Sequence, residues 1–210
     1  AALLLTAVNG LTQHSYLIAL LAGAVWAFIL YRLCAHGKLR TLASVDTGKT
    51  ALLLTLLCAA VNLAWVLAVR IEPFSDYETY WRTACALAFG REIDAPWYIA
   101  MYPHILGCST FLSAFLKIFG EHVMVAAVIN VILTCLSGLL IYGICLRLAS
   151  PLTAALAYLL WIVCPSKLML DPLVFSEPLY TCLILLFFYL IVLIEQRRGS
   201  LPRRLGVCLL

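Results

Sequence analysis

Long apolar runs separated by short polar stretches dominate the pattern of this chain. Four runs, 16–33, 51–69, 123–148 and 173–194, are each long enough for a helix to cross a bilayer, which needs roughly 17–25 apolar residues. A fifth, 152–164, is shorter and closed by Pro165, so it crosses only if its helix continues or tilts. The pattern predicts an all-α, polytopic transmembrane protein.

Between the second and third runs lies a mixed segment, 70–122, in which two amphipathic helices are expected at about 76–89 and 103–119, joined by 90–102. In the second, Ile105, Cys108, Leu112, Phe115 and Phe119 recur on one helical face, and Ser109, Ser113 and Lys117 on another. That is the pattern of a helix lying along a membrane surface. Tyr77, Tyr80, Trp81, Trp97, Tyr98 and Tyr102 make the segment rich in aromatic rings, as suits the headgroup level, where such rings also act as plain anchors.

Composition agrees with membrane residence. Of the 210 residues, 65% are hydrophobic and 11% charged, and the mean hydropathy is +1.05. No basic segment precedes a short apolar core with a cleavage site, so the runs read as permanent spans. The chain opens on Ala1-Ala2-Leu3 without an initiator Met and stops at Cys208-Leu209-Leu210 as a new apolar run begins, so a fragment is expected. The nine cysteines are odd in number and lie mostly in apolar runs, as packing residues do; only Cys85 and Cys108 fall in a polar region where oxidation would matter.

The distribution of charge predicts the topology. Arg32, Lys38, Arg40 and Lys49 surround the first connection, opposed by Asp46, which assigns it to the cytoplasm. Segment 70–122 holds Glu72, Asp76, Glu78, Glu92, Asp94 and Glu121 against Arg70, Arg82, Arg91 and Lys117, an acidic excess that suits the outside. Arg147 and the cluster Arg197, Arg198, Arg203 and Arg204 belong to the cytoplasm. A crossing at 103–119 would put those arginines outside, so that segment is expected not to span. The resulting organisation is a membrane extension at 1–50, a membrane module at 51–198 carrying the external loop 70–122, and a cytoplasmic loop with the start of a further helix at 199–210.

Candidate chemistry concentrates in two external places. In Phe74-Ser75-Asp76-Tyr77-Glu78, two carboxylates lie one residue apart at the lipid–water boundary, where such a pair can hold a divalent cation near a phosphate or take a proton from a hydroxyl. Ser75 and Glu78 also have the spacing of a helix capping box, which leaves Asp76 the freer of the two. The second place, 164–180, combines Pro165, Pro172 and Pro178 with Lys167 and Glu177. Unwound backbone at membrane depth lines cavities, and an acid there is a functional candidate, though Ser176 and Glu177 also fit a helix cap. Lys167 is a point charge for phosphate or, more simply, a lysine snorkelling to the surface. His104 and His122 lack metal-ligand spacing, and no phosphate loop, zinc motif or nucleic-acid signature is present.

From 51 to 198 these pieces together resemble the GT-C glycosyltransferases, in particular the family 39 group of protein O-mannosyltransferases and the lipid A aminoarabinose transferase. Ser75-Asp76 followed by Tyr80, Ala84, Leu87 and Gly90 is similar to the first external motif of that family. Tyr102-Pro103-His104-Ile105-Leu106 through Gly120 is similar to its second juxtamembrane helix, with His104 where a second proline is usual. Val128-Ile129-Asn130 through Arg147 and Cys164-Pro165 with Ser176-Glu177 complete the likeness.

The resemblance implies a transferase of a bacterial plasma membrane that moves a sugar from a polyprenyl-phosphate donor to an external acceptor with inversion. Asp76 would be base or electrostatic anchor with Glu78 assisting, and Tyr80, Tyr102, His104, Lys167 and Glu177 would bind substrate. A divalent cation, held by Asp76 and Glu78 if anywhere, is the one cofactor considered. The extension at 1–50 departs from the family pattern, and later membrane helices and an external C-terminal domain are missing, so the fragment alone is expected to be inactive. The competing readings are a transporter or lipid flippase gated by Asp76 and Glu177, and an assembly subunit of the same fold without catalysis.

Overall fold

Helix α1 (Thr47–Ala68) starts where the Asp46 carboxylate accepts a 2.9 Å hydrogen bond from the Gly48 amide. It belongs to a computed structural model that describes residues 46–197, so the predicted span at 16–33 and the segment 199–210 lie outside the described residues. All regular structure among the described residues is helical. After α1 come α2 (Asp76–Phe89), α3 (Pro96–Met101), α4 (His104–Phe119) and α5 (Val123–Leu148). The chain then forms α6 (Pro151–Ile162), α7 (Pro165–Leu170) and α8 (Glu177–Arg197). Of these, α1, α5 and α8 are long and apolar enough to cross a membrane.

Helix α5 is the central post. Helix α1 packs against it antiparallel: the Tyr142 hydroxyl donates to Thr47 O at one end (3.1 Å), while Val66 shares a core cluster with Ala127 and Met124 at the other. Segment 70–122 therefore leaves and re-enters the bundle at the same end, and α2 and α4 pack together there without a net crossing. This agrees with the topology expected from charge.

Helix α8 runs parallel to α5, with Tyr189 against Gly143 and the Gln196 amide donating to Arg147 O at 3.1 Å. Two parallel neighbours need a return crossing between them. Helix α6 supplies only 12 residues of it, about 18 Å. The rest is climbed by α7 and the coil 171–176, so the return is a broken helix inside the bundle. Pro165 opens α7 where the sequence suggested unwound backbone, because proline at a first helical position loses no hydrogen bond.

Two further local expectations are corrected. Segment 90–102 is not only a connector: Pro96 starts α3 within it. Ser109 does not sit on an outward polar face of α4 but is fully buried, its hydroxyl donating to Tyr80 O at 3.0 Å, which locks α4 onto α2. Ile118 and Phe119, at the far end of α4, are the exposed apolar residues. Gly90, in the left-handed region at φ +66°, ends α2.

The tightest packing joins three helices at Tyr158 of α6. Its ring is fully buried, and its hydroxyl lies 3.1 Å from Thr55 Oγ1 and 3.2 Å from Cys135 O. The ring lies directly over Gly138, where any Cβ would fall inside it. Pinned at both ends, Tyr158 has no alternative position. Gly138→Ala is expected to lower stability by about 1–3 kcal/mol through overpacking. Gly107→Ala, within α4 with open space around the position, is expected to be neutral or to stabilise by up to about 1 kcal/mol; denaturation in detergent micelles compares the two.

Candidate functional site

The residues singled out from sequence fall into two neighbouring groups at the end of the bundle that carries segment 70–122. The first is an aromatic chain. The Tyr98 hydroxyl points at Asp76 Oδ1 (3.5 Å), and the Tyr98 ring lies 4.7 Å from that of Tyr102. Tyr102 is 6.2 Å from the His104 ring, and His104 is 6.3 Å from Tyr80. Tyr80 is the buried member, and its hydroxyl is 3.4 Å from Ser176 Oγ. Ser176 in turn donates to Glu177 Oε2 at 3.4 Å. A serine has one proton, so with that proton on the glutamate side the Tyr80 hydroxyl is the donor to Ser176.

Burial holds the Tyr80 phenol above its ordinary range, and the negative charges of Glu177 and Asp76 both push it the same way. Two acids about a hundred residues apart in sequence thus act on one phenol. Phe175 fixes this junction, meeting Tyr77 edge-on at 5.0 Å and Tyr80 at 5.9 Å.

The two carboxylates of the Asp76 motif do not converge. Residues two apart on a helix point about 200° away from each other, and Glu78 turns to Arg82, 2.7 Å away, which also holds Asp94 at 3.1 Å. Among the described residues, no three His, Cys, Asp or Glu side chains gather as a metal site. The capping box is not formed either: Ser75 makes no side-chain cap, and its φ of 51° places it in a region that L residues rarely occupy. Asp76 is exposed at the first position of α2, where the helix dipole favours its negative charge. Ser176 likewise directs its hydroxyl to the Glu177 carboxylate.

The second group was not read from the sequence as a unit. Lys167 is buried, not a snorkelling surface lysine: its ammonium donates to Asn62 Oδ1 at 2.8 Å and to Ile162 O at 3.4 Å, and lies 5.8 Å from the Trp161 ring. One helical turn on, Asp171 is fully buried and accepts from Thr134 Oγ1 at 2.8 Å. Asn130 donates to the carbonyls of Asp171 and Leu173, capping the broken segment. Thr134 lies about 16 Å inside the start of α5, so this cluster sits at membrane depth. The signal available in the sequence was an ionisable pair, Lys167 and Asp171, at helical spacing within an otherwise apolar return.

The groups meet at Glu177. A cavity of about 200 Å³ is lined by Thr134, Trp161, Lys167 and Asp171 on one side and by Glu177 and Thr181 on the other. Exposed Tyr102, His104 and Asp76 lie outside it, on the surface of the aromatic chain.

Cys85 and Cys108 are free and buried between α2 and α4. Burial pushes the Cys85 thiol up to about 12, with the Glu121 charge adding, and that of Cys108 up to about 11. Both are therefore neutral thiols at physiological pH. Maleimide labelling of the folded protein at pH 8, read by mass spectrometry, is expected to leave Cys85 and Cys108 unmodified until denaturant is added.

Comparison with family models, curated proteins and solved structures gave no match to this chain.

Proposed function

We propose that this membrane protein is a glycosyltransferase that takes a sugar from a polyprenyl-phosphate carrier and passes it to an acceptor at the outer membrane surface. The observation that carries this reading is the run of contacts that leads from Asp76 through Tyr98, Tyr102 and His104 to Tyr80, Ser176 and Glu177. Among the described residues, Glu78, Asp94 and Glu121 are all taken up in ion pairs with arginines. Asp76 makes none and stands exposed at a helix start. A carboxylate outside any ion pair, accessible and at this end of the bundle, is the group such chemistry needs.

Sidedness supports it. Thr47, Arg147 and Gln196 share one end of the bundle. Lys49, two residues from Thr47, adds to the positive charge that marks this end as cytoplasmic. The acid-bearing end then faces outward, where a lipid-linked donor presents its headgroup. In the reaction, an acceptor hydroxyl attacks the anomeric carbon, its oxygen–carbon bond forms and the carbon–oxygen bond to phosphate breaks. The electron pair leaves with the polyprenyl phosphate and the configuration inverts; Asp76 accepts the hydroxyl proton, or else stabilises the positive charge developing at the anomeric carbon while the departing phosphate takes the proton. In this reading Tyr102 and His104, exposed on the same aromatic chain, orient substrate.

One observation favours a second reading. Buried Lys167 and Asp171 at membrane depth are what a transporter or flippase would use to couple movement to charge. An assay separates the two. Membranes containing the protein are incubated with radiolabelled polyprenyl-phosphate sugars, and both transfer to acceptor and movement of labelled lipid between leaflets are followed. The expected result is transfer that Asp76→Asn lowers by about 100-fold or more. Lipid movement without transfer would establish the transporter instead, and transfer unchanged in Asp76→Asn would remove that residue from the chemistry.

A further inference from the structure

The cavity between α5, the broken return and α8 holds an oxygen with nothing to bond. Asp171 is fully buried and Thr134 Oγ1 satisfies its Oδ1, but its Oδ2 has no hydrogen-bond partner. An orphaned carboxylate oxygen in an apolar setting costs on the order of 1–3 kcal/mol or more, and here it belongs to a residue that lines a cavity. The surrounding groups tell which ligand would satisfy it. Glu177 adds a second carboxylate, Thr134 and Thr181 add hydroxyls, and Trp161 adds an aromatic wall. Lys167 adds an ammonium that uses two of its three protons on Asn62 and Ile162.

Charge discriminates among the candidates. A phosphate or other anion would meet Lys167 favourably but face Asp171 and Glu177. An organic or inorganic cation would meet the two carboxylates but be crowded by the Lys167 ammonium. A neutral group bearing several hydroxyls meets all of these partners at once, donating to Asp171 Oδ2 and Glu177 and accepting from Lys167, because each hydroxyl both donates and accepts. Size agrees: about 200 Å³ is below the roughly 300–1,000 Å³ typical of pockets for larger ligands, so one small headgroup fits.

We propose that this cavity is a binding site for the neutral, polyhydroxylated headgroup of a membrane lipid, oriented by Asp171, Lys167 and Glu177. The proposal does not rest on the transferase reading: Asp76 lies outside this cavity, so the lipid seated here is a neutral glycolipid and not the phosphate-linked carrier whose anomeric carbon would react beside Asp76.

The test reads binding alone. The protein is placed in lipid nanodiscs, and saturable binding of radiolabelled octyl β-glucoside is measured above that of empty nanodiscs, with octyltrimethylammonium and octyl phosphate as competitors. The expected result is saturable binding that the glucoside competes and the two charged amphiphiles do not. Asp171→Asn, and separately the milder Thr181→Val, should weaken binding, the former by about tenfold or more. Thermal unfolding of each variant separates lost binding from lost folding. Binding that persists unchanged in both folded variants, equal competition by a charged amphiphile, or no saturable binding by the wild type would each overturn the proposal. Asp76→Asn is assayed alongside, and binding retained where transfer is lost keeps this inference distinct from the catalytic one.

Discussion

A lysine ammonium inside a membrane bundle must find acceptors there, because water is absent and an unsatisfied charge is costly. Lys167 finds them in Asn62 of α1 and in the last carbonyl of α6. The arrangement of the bundle follows from that contact. It lies at the break in the return crossing, where α6 ends at Ile162 and the carbonyl of that residue faces the ammonium. It also ties α1 to a segment more than a hundred residues away in sequence. From there Thr134 and Asn130 of α5 take up Asp171 and the carbonyls that follow, and the coil is led to Ser176.

What the broken return achieves is placement. An unbroken helix would have carried Glu177 into bulk solvent or lipid. The break instead delivers Phe175 between Tyr77 and Tyr80, and Ser176 beneath the Tyr80 hydroxyl. Helix α4 is locked to α2 by Ser109, and Cys108 of α4 also reaches Phe175 O. Asp76, at the start of α2, is thereby held on a surface whose distance from Glu177 is set by rigid elements rather than by a loose loop. The Arg91–Glu121 pair at 2.8 Å closes the segment between α2 and α5, though an exposed pair of this kind adds little by itself.

Much of this was legible in the residues. Apolar run length gave α1, α5 and α8, and the basic ends gave a topology in which 70–122 makes no net crossing. Amphipathic spacing gave α2 and α4 to within a residue or two. The candidates Asp76, Tyr80, Tyr102, His104 and Glu177 do lie along one chain of contacts. What could not be read was partnership at long range. Glu78 was expected either to cap its helix with Ser75 or to assist Asp76, because its actual partner, Arg82, is equally consistent with solvent. Ser109 looked solvent-facing because a helical wheel does not know that Tyr80 O waits opposite. Lys167 looked like a surface lysine because Asn62, its partner, lies on another helix. Asp171 drew no notice because an acid beside a proline resembles a turn, and only the fold puts it against Thr134.

The central claim is that the buried Asn62–Lys167 contact holds α1 to the broken return, and a double-mutant cycle tests it directly. Unfolding free energies of wild type, Asn62→Leu, Lys167→Met and the double variant would be measured in the same detergent or bilayer. Each single variant leaves one polar partner buried alone, whereas the double variant replaces both by apolar groups. The account predicts that the double variant is less destabilised than the sum of the singles, with a coupling of about 1–3 kcal/mol. Additive effects, within about 0.3 kcal/mol, would contradict it.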